Sequence, residues 1–246
     1  MRRVIILLAF ACTSACGDDW VPPENPGPEC VQSLLLEAAE DIREERYELA
    51  LSKHVWFHEN ALSFKRHGVG SFALVHWNKL AEEYPQALTK LKEVRDQAKR
   101  KVMEGDSARE SFHTLASIDD RLREHAATRR DFELLDEKSP ELAKDVFDVA
   151  KPSLLQAKSY AILGKYAEPK DDFVEIRDMY RRVKYWGLAD KRFANDAMTL
   201  VATLAVNGRR KEAEEIAALA RAEWDNRSFR ADLREALEGV FPGPRP

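Results

Sequence analysis

Between residues 29 and 241 the chain runs for 213 positions with only four prolines, Pro85, Pro140, Pro152 and Pro169. The other seven crowd the ends: Pro22, Pro23, Pro26 and Pro28 before that stretch, and Pro242, Pro244 and Pro246 after it. Seven glycines share the interval. Proline removes a backbone donor and clashes with the preceding helical turn, and glycine costs backbone entropy, so a long stretch nearly free of both reads as helices joined by short turns. Residues 29–241 are expected to form one helical domain, with a disordered tail over 242–246. At 44% hydrophobic and 33% charged, the chain has globular composition, which excludes a disordered, collagenous or multi-span membrane protein.

The apolar residues recur at helical spacing. Val31, Leu34, Leu35, Ala38 and Ile42 fall on one helix face, and Tyr47, Ala50, Leu51, His54, His58 and Ala61 on another. Ala87, Leu88, Leu91, Val94 and Ala98 make a third stripe. Phe173, Ile176, Tyr180 and Val183 make a fourth, and Ala213, Ile216, Ala217, Ala220 and Trp224 a fifth. Ala197 to Val206 is apolar on nearly every side, as a helix covered by several neighbours must be. No run of similar length alternates with period two, so the predicted class is all-α. Stop signals at Glu44–Arg46, Gly68–Gly70, Pro85, Gly105, Ser139–Pro140, Pro152, Gly164, Gly187 and Gly208 divide it into about twelve helices in antiparallel hairpins.

Six hairpins in this length average roughly 35 residues each, near the tetratricopeptide period. Trp77, Leu80, Ala81 and Tyr84 match the first-helix signature of that repeat. Ala38, Tyr47 and Ala50, then Ala157, Tyr160, Gly164 and Tyr166, then Gly208, Ala213, Ala217 and Ala220 match parts of its small-and-bulky pattern. The chain thus resembles a tetratricopeptide-like protein, which implies an irregular solenoid or a compact helical bundle. Lys53 to Asp96 is also similar to a widespread set of bacterial helical-repeat proteins to which no activity is attached, and this implies architecture alone.

The N-terminus reads as an address. Arg2 and Arg3 precede eight apolar residues, Val4 to Ala11, a run too short to span a membrane. Thr13, Ser14 and Ala15 then lead into Cys16, which resembles the lipobox of bacterial lipoproteins, although Thr13 stands where that family usually has Leu. The resemblance implies a signal peptide over 1–15, lipid attachment at Cys16, and a flexible Pro/Gly-rich tether over 16–28. It also implies a place in the bacterial cell envelope. In such lipoproteins Asp directly after the cysteine retains the protein at the inner membrane; Gly17 holds that position, which favours the outer membrane. Cys12 leaves with the signal and Cys16 takes the lipid, so Cys30 remains alone and can build neither a disulfide framework nor a cysteine metal site; without acylation of Cys16 a Cys16–Cys30 bridge is the alternative in an oxidising compartment. Without Arg2 and Arg3 the balance is 37 basic to 43 acidic residues, which argues against nucleic acid as a partner.

Candidate chemistry is sparse. His54 and His58 stand one helical turn apart and could share a zinc ion, with Glu59, His67 or His76 as third ligand. Both also lie on an apolar stripe, where packing histidines are commonplace, and the H-E-x-x-H spacing fails at Leu62. Gly68 to Ala73 satisfies G-x-G-x-x-A without the preceding strand that a dinucleotide site needs. His113 with Asp119 and Asp120 reads as a solvated helix face. Lys90 to Lys101 is rich in basic residues, and Arg181, Arg182 and Lys184 adjoin Tyr180, Tyr185 and Trp186, a patch that could seat a glycan or small ligand. There is no P-loop and no G-x-S-x-G elbow. These readings favour a lipid-anchored interaction scaffold that binds an envelope protein or peptide through a helical groove, with no catalysis and no cofactor. A glycan-binding module at Tyr180, Tyr185 and Trp186 and a metal-dependent enzyme using His54 and His58 are the alternatives.

Overall fold

The computed structural model describes residues 20–23, 28–60, 69–185 and 187–243. Among them it has twelve α-helices and no strand. These are α1 (Pro28–Arg43), α2 (Tyr47–Asn60), α3 (Val69–Glu83), α4 (Pro85–Glu104), α5 (Ala108–Arg121) and α6 (His125–Lys138). Then come α7 (Pro140–Gln156), α8 (Tyr160–Tyr166), α9 (Pro169–Val183), α10 (Ala189–Val206), α11 (Arg210–Glu223) and α12 (Arg227–Leu237). The signal, Cys16, Gly68 and Trp186 lie outside the described residues. No described helix is long and apolar enough to cross a membrane.

The chain forms two compact units, one running to Leu91 and one beginning at Lys92, so the division falls inside α4. In the first, α1 packs on α2 and α3, and α2 on α3. Leu34, Leu35, Ala38 and Ile42 of α1 are buried, as their spacing requires. Trp77 is buried on α3 and donates from its indole N–H to the Ala87 carbonyl at 3.1 Å, which ties the start of α4 to α3. Trp20, within the stretch read as a tether, packs edge-on against Trp56 with centroids 6.1 Å apart. The buried face of α2 carries Ala50, Lys53, His54 and Phe57, one polar pair more than an apolar stripe predicts.

Two apolar cores form the second unit. Phe112, Leu115, Phe132, Leu135, Val146 and Leu154 belong to one, between α5, α6, α7 and the end of α4. The other surrounds α10, which packs on α8, α9, α11 and α12. That explains the sequence of α10: seven of its residues from Ala197 to Leu204 are buried, including Thr203. Within each unit the principal packing partners are helices one or two places apart in the chain, the order produced by stacking successive hairpins.

One termination device recurs. After α1, α4, α5, α7, α10 and α12, a residue with positive φ closes a pair of bonds back to the last turn; after α10, Arg209 N–H reaches the Leu204 carbonyl at 2.9 Å and Gly208 N–H the Ala205 carbonyl at 3.1 Å. Glycine occupies that position at Gly105, Gly208 and Gly239, but Glu45, Arg123 and Lys158 occupy it elsewhere. The expected stop at Glu44–Arg46 covers Glu45, but Arg123 and Lys158 fall where no break was expected. Two expected breaks also fail. Pro152 lies inside α7, which continues to Gln156, and Gly164 lies inside α8. Gly164 is small for another reason: a Cβ there would sit 2.1 Å from the Asn207 side chain, which bridges α10 to α8 by donating to the Tyr160 carbonyl at 2.9 Å.

Candidate functional site

A cleft of about 530 Å³ lies in the second unit, between α10, α12 and the segment Val240–Gly243. Local chemistry places each wall. Asn226 precedes α12 with extended backbone, and its side-chain oxygen accepts from Phe229 N–H at 2.9 Å, fixing the first turn. Phe229, Leu233 and Ala236 then seat α12 on α10. Gly239, at φ +83°, turns the chain back beside Val206, and Phe241 stacks on Tyr160 with centroids 3.5 Å apart. The C-terminal wall is thereby anchored through Phe241, and Pro242 and Gly243 line the cleft.

Met198, Trp224, Phe229 and Phe241 are apolar residues of its lining, three of them aromatic, with Met198 and Phe229 buried. Trp224 and Phe229 contact each other at 5.0 Å between centroids. Three carboxylates, Asp190, Asp232 and Glu235, line it, and Lys191 is the one basic residue among the lining set. Asp190 accepts from the Tyr180 hydroxyl at 2.9 Å. Burial first, then this bond and the charge of Asp190, push the Tyr180 phenol up to about 12. The carboxylates of Asp232 and Glu235 have no hydrogen-bond or ion-pair partner among the described residues.

The sequence candidates are dispersed. His54 is fully buried and stacked on Trp77 at 5.7 Å, and neither ring nitrogen has a partner among the described residues. Burial, with a smaller push from His76, drives its pKa down to about 3, so it is a neutral packing residue. His58 meets the edge of the same indole at 6.2 Å. Among the described residues no three His, Cys, Asp or Glu side chains gather as a metal would require, and His67 lies outside those residues. Tyr180 packs against Phe193 at 4.7 Å, whereas Tyr185 is 87% exposed beneath Lys184; the two do not form one platform. Arg181 is engaged by Glu223 at 2.8 Å.

The solvated reading of Asp119 is wrong. Asp119 is fully buried and accepts from Arg95 at 2.9 and 3.2 Å and from Thr128 at 2.8 Å. Asp131 accepts from Arg95 at 2.5 Å and pairs with Lys99 at 2.6 Å. Desolvation pulls the Arg95 pKa down, but the hydrogen bonds and charge of Asp119 and then Asp131 outweigh it and hold the guanidinium charged. Part of the Lys90–Lys101 basic cluster therefore points inward, as structural ballast for α5 and α6. Asp119 and Thr128 are nine residues apart on different helices, so no single helical wheel shows their contact.

Sequence reading missed the cleft. The available signal was that Asp232 and Glu235 have no basic residue three or four positions away: their neighbours at those spacings are Ser228, Phe229, Ala231, Ala236, Glu238 and Gly239. Comparison of the chain with protein-family models, curated proteins and solved structures gave no match.

Proposed function

We propose that this chain is a lipid-anchored protein of the bacterial cell envelope that acts as a non-catalytic interaction scaffold, taking a segment of a partner protein into the cleft between α10 and α12. The cleft carries this reading: its lining mixes apolar and aromatic residues with a few charged ones, as binding sites do, and its volume falls in the usual range for ligand pockets. Helices stacked in chain order supply a rigid frame for an extended surface. The anchoring half rests on the N-terminal residues alone, from Arg2 and Arg3 to Cys16.

A photocrosslinking residue tests the binding half in intact cells. Placed at Ala194 in the cleft it is expected to yield a discrete adduct, while the same residue at exposed Leu219 on α11 yields none. Equal adducts from both positions, or none from Ala194, reject the cleft as the docking site. For the anchor, Cys16→Ser is expected to abolish labelling by a radioactive fatty acid and release the protein from the membrane fraction; labelling that survives the substitution rejects it.

A further inference from the structure

We infer that the segment taken up by the cleft is a cationic, apolar one, in which arginine or lysine alternates with bulky apolar side chains. This rests on the reading of the cleft as a docking site. The first observation is charge. Carboxylates elsewhere in this unit are widely matched: Asp119 and Asp131 to Arg95, Asp136 to Lys165, Asp148 to Arg109, Asp172 to Lys151, Glu212 to Arg209, and Glu223 to Arg181. Asp232 and Glu235 line a concavity without such a partner among the described residues; Glu235 is exposed, as are other unmatched carboxylates of the unit such as Glu104, Glu141 and Glu175, whereas Asp232 is half-buried. A carboxylate withdrawn from water without a counter-charge is unfavourable in the free protein and becomes favourable when a cation arrives.

The second observation is the apolar lining. Half-buried Trp224, backed by buried Phe229, lines the same cleft as those carboxylates, and its indole suits both apolar side chains and a guanidinium stacked in the cation–π manner. The cleft volume admits two or three large side chains rather than a whole folded surface. Carboxylates and the Trp224 ring in one cleft together select a segment carrying both chemistries. An acidic segment would meet three carboxylates against one lysine.

The test uses the full chain and four probes, followed by calorimetric titration. The probes are a short capped peptide alternating Arg with Leu and Phe, its counterpart with Glu for Arg, its counterpart with Ser for Leu and Phe, and arginine amide alone. The first peptide is expected to bind at least tenfold more tightly than each of the others, with affinity falling steeply as salt rises. Asp232→Asn with Glu235→Gln is expected to cost tenfold or more, and Ala194→Trp, which fills the cleft, to abolish binding; circular dichroism and unchanged unfolding midpoints confirm folding of both variants. Equal binding of the Glu peptide, or indifference to the double substitution, overturns the charge inference while a cleft-dependent Glu peptide keeps the docking reading. Arginine amide binding as tightly as the peptide assigns the cleft to a small cation and overturns the inference. Binding of the first peptide that survives Ala194→Trp, or binding of no probe, overturns it too; crosslinking from Ala194 then decides the docking reading separately.

Discussion

Two groups of carboxylates in the second unit are built oppositely. Asp119 and Asp131 are buried, and Arg95, Lys99 and Thr128 meet them at 2.5–3.2 Å. Asp232 and Glu235 line an open cleft with no partner among the described residues. The first group ties three helices together, because every charge withdrawn from water is met by an opposite one. The second lines a cleft and ties no helices together among the described residues. The same residue type is thus structural in one place and, on the proposed reading, receptive in another, and the placing of cations on neighbouring helices makes the difference.

The strongest way to break this contrast is Arg95→Ala. It leaves Asp119 and Asp131 buried beside Lys99 alone, and is expected to cost about 3–5 kcal/mol in chemical denaturation. A loss under about 1 kcal/mol would show that the cluster is solvated and resembles the cleft after all.

His54 gives a buried polar group of a third kind, neutral and unpaired, and pH exposes it. Its folded pKa of about 3 lies below the ordinary 6.5, so between those values the unfolded chain takes up a proton that the folded chain refuses. Its contribution to stability is complete above pH 6.5 and is lost progressively as pH falls toward 3, by several kcal/mol in all, roughly 1.4 per pH unit at the limiting slope. Hydrogen-exchange protection of α2 and α3 should fall accordingly between pH 6.5 and 4.5, and His54→Leu should flatten that fall. An unchanged slope in His54→Leu would assign the acid sensitivity to another group.

A smaller effect is expected at the left-handed helix ends. Glu45→Gly, Arg123→Gly and Lys158→Gly each relieve a strained backbone at φ 54–59° and should stabilise by about 0.5–1 kcal/mol, read as a raised urea midpoint. Destabilisation at all three would mean that their side chains matter more than their φ. The smallest change sharpens the comparison most: Asp232→Asn should alter stability by less than about 0.5 kcal/mol, since it breaks no contact among the described residues. A loss as large as that of Arg95→Ala would place Asp232 among the structural carboxylates.

The helical class, the stripe on α1, the buried helix over Ala197–Val206 and the packing role of Trp77 and Leu80 were legible in the sequence. Each follows from spacing along one helix, where the period of 3.6 fixes which side chains share a face. The candidate site was not legible. Its apolar lining includes Met198, Trp224, Phe229 and Phe241, which span 44 positions and four segments, and no local rule brings them together. Glycine and proline also misled where they served packing instead of punctuation: Gly164 yields room to Asn207, and Pro152 lies inside α7.

Local chemistry along the chain therefore determined that this protein is helical, roughly where its helices lie, and which faces they bury. Only the tertiary structure decided what its charges do. Arg95 and Asp119 look like surface residues on their own helices until α4, α5 and α6 come together, while Asp232 and Glu235 line a cleft with no cation paired to them among the described residues. Electrostatic energy depends on distance through space and on access to water, and separation along the sequence reports neither.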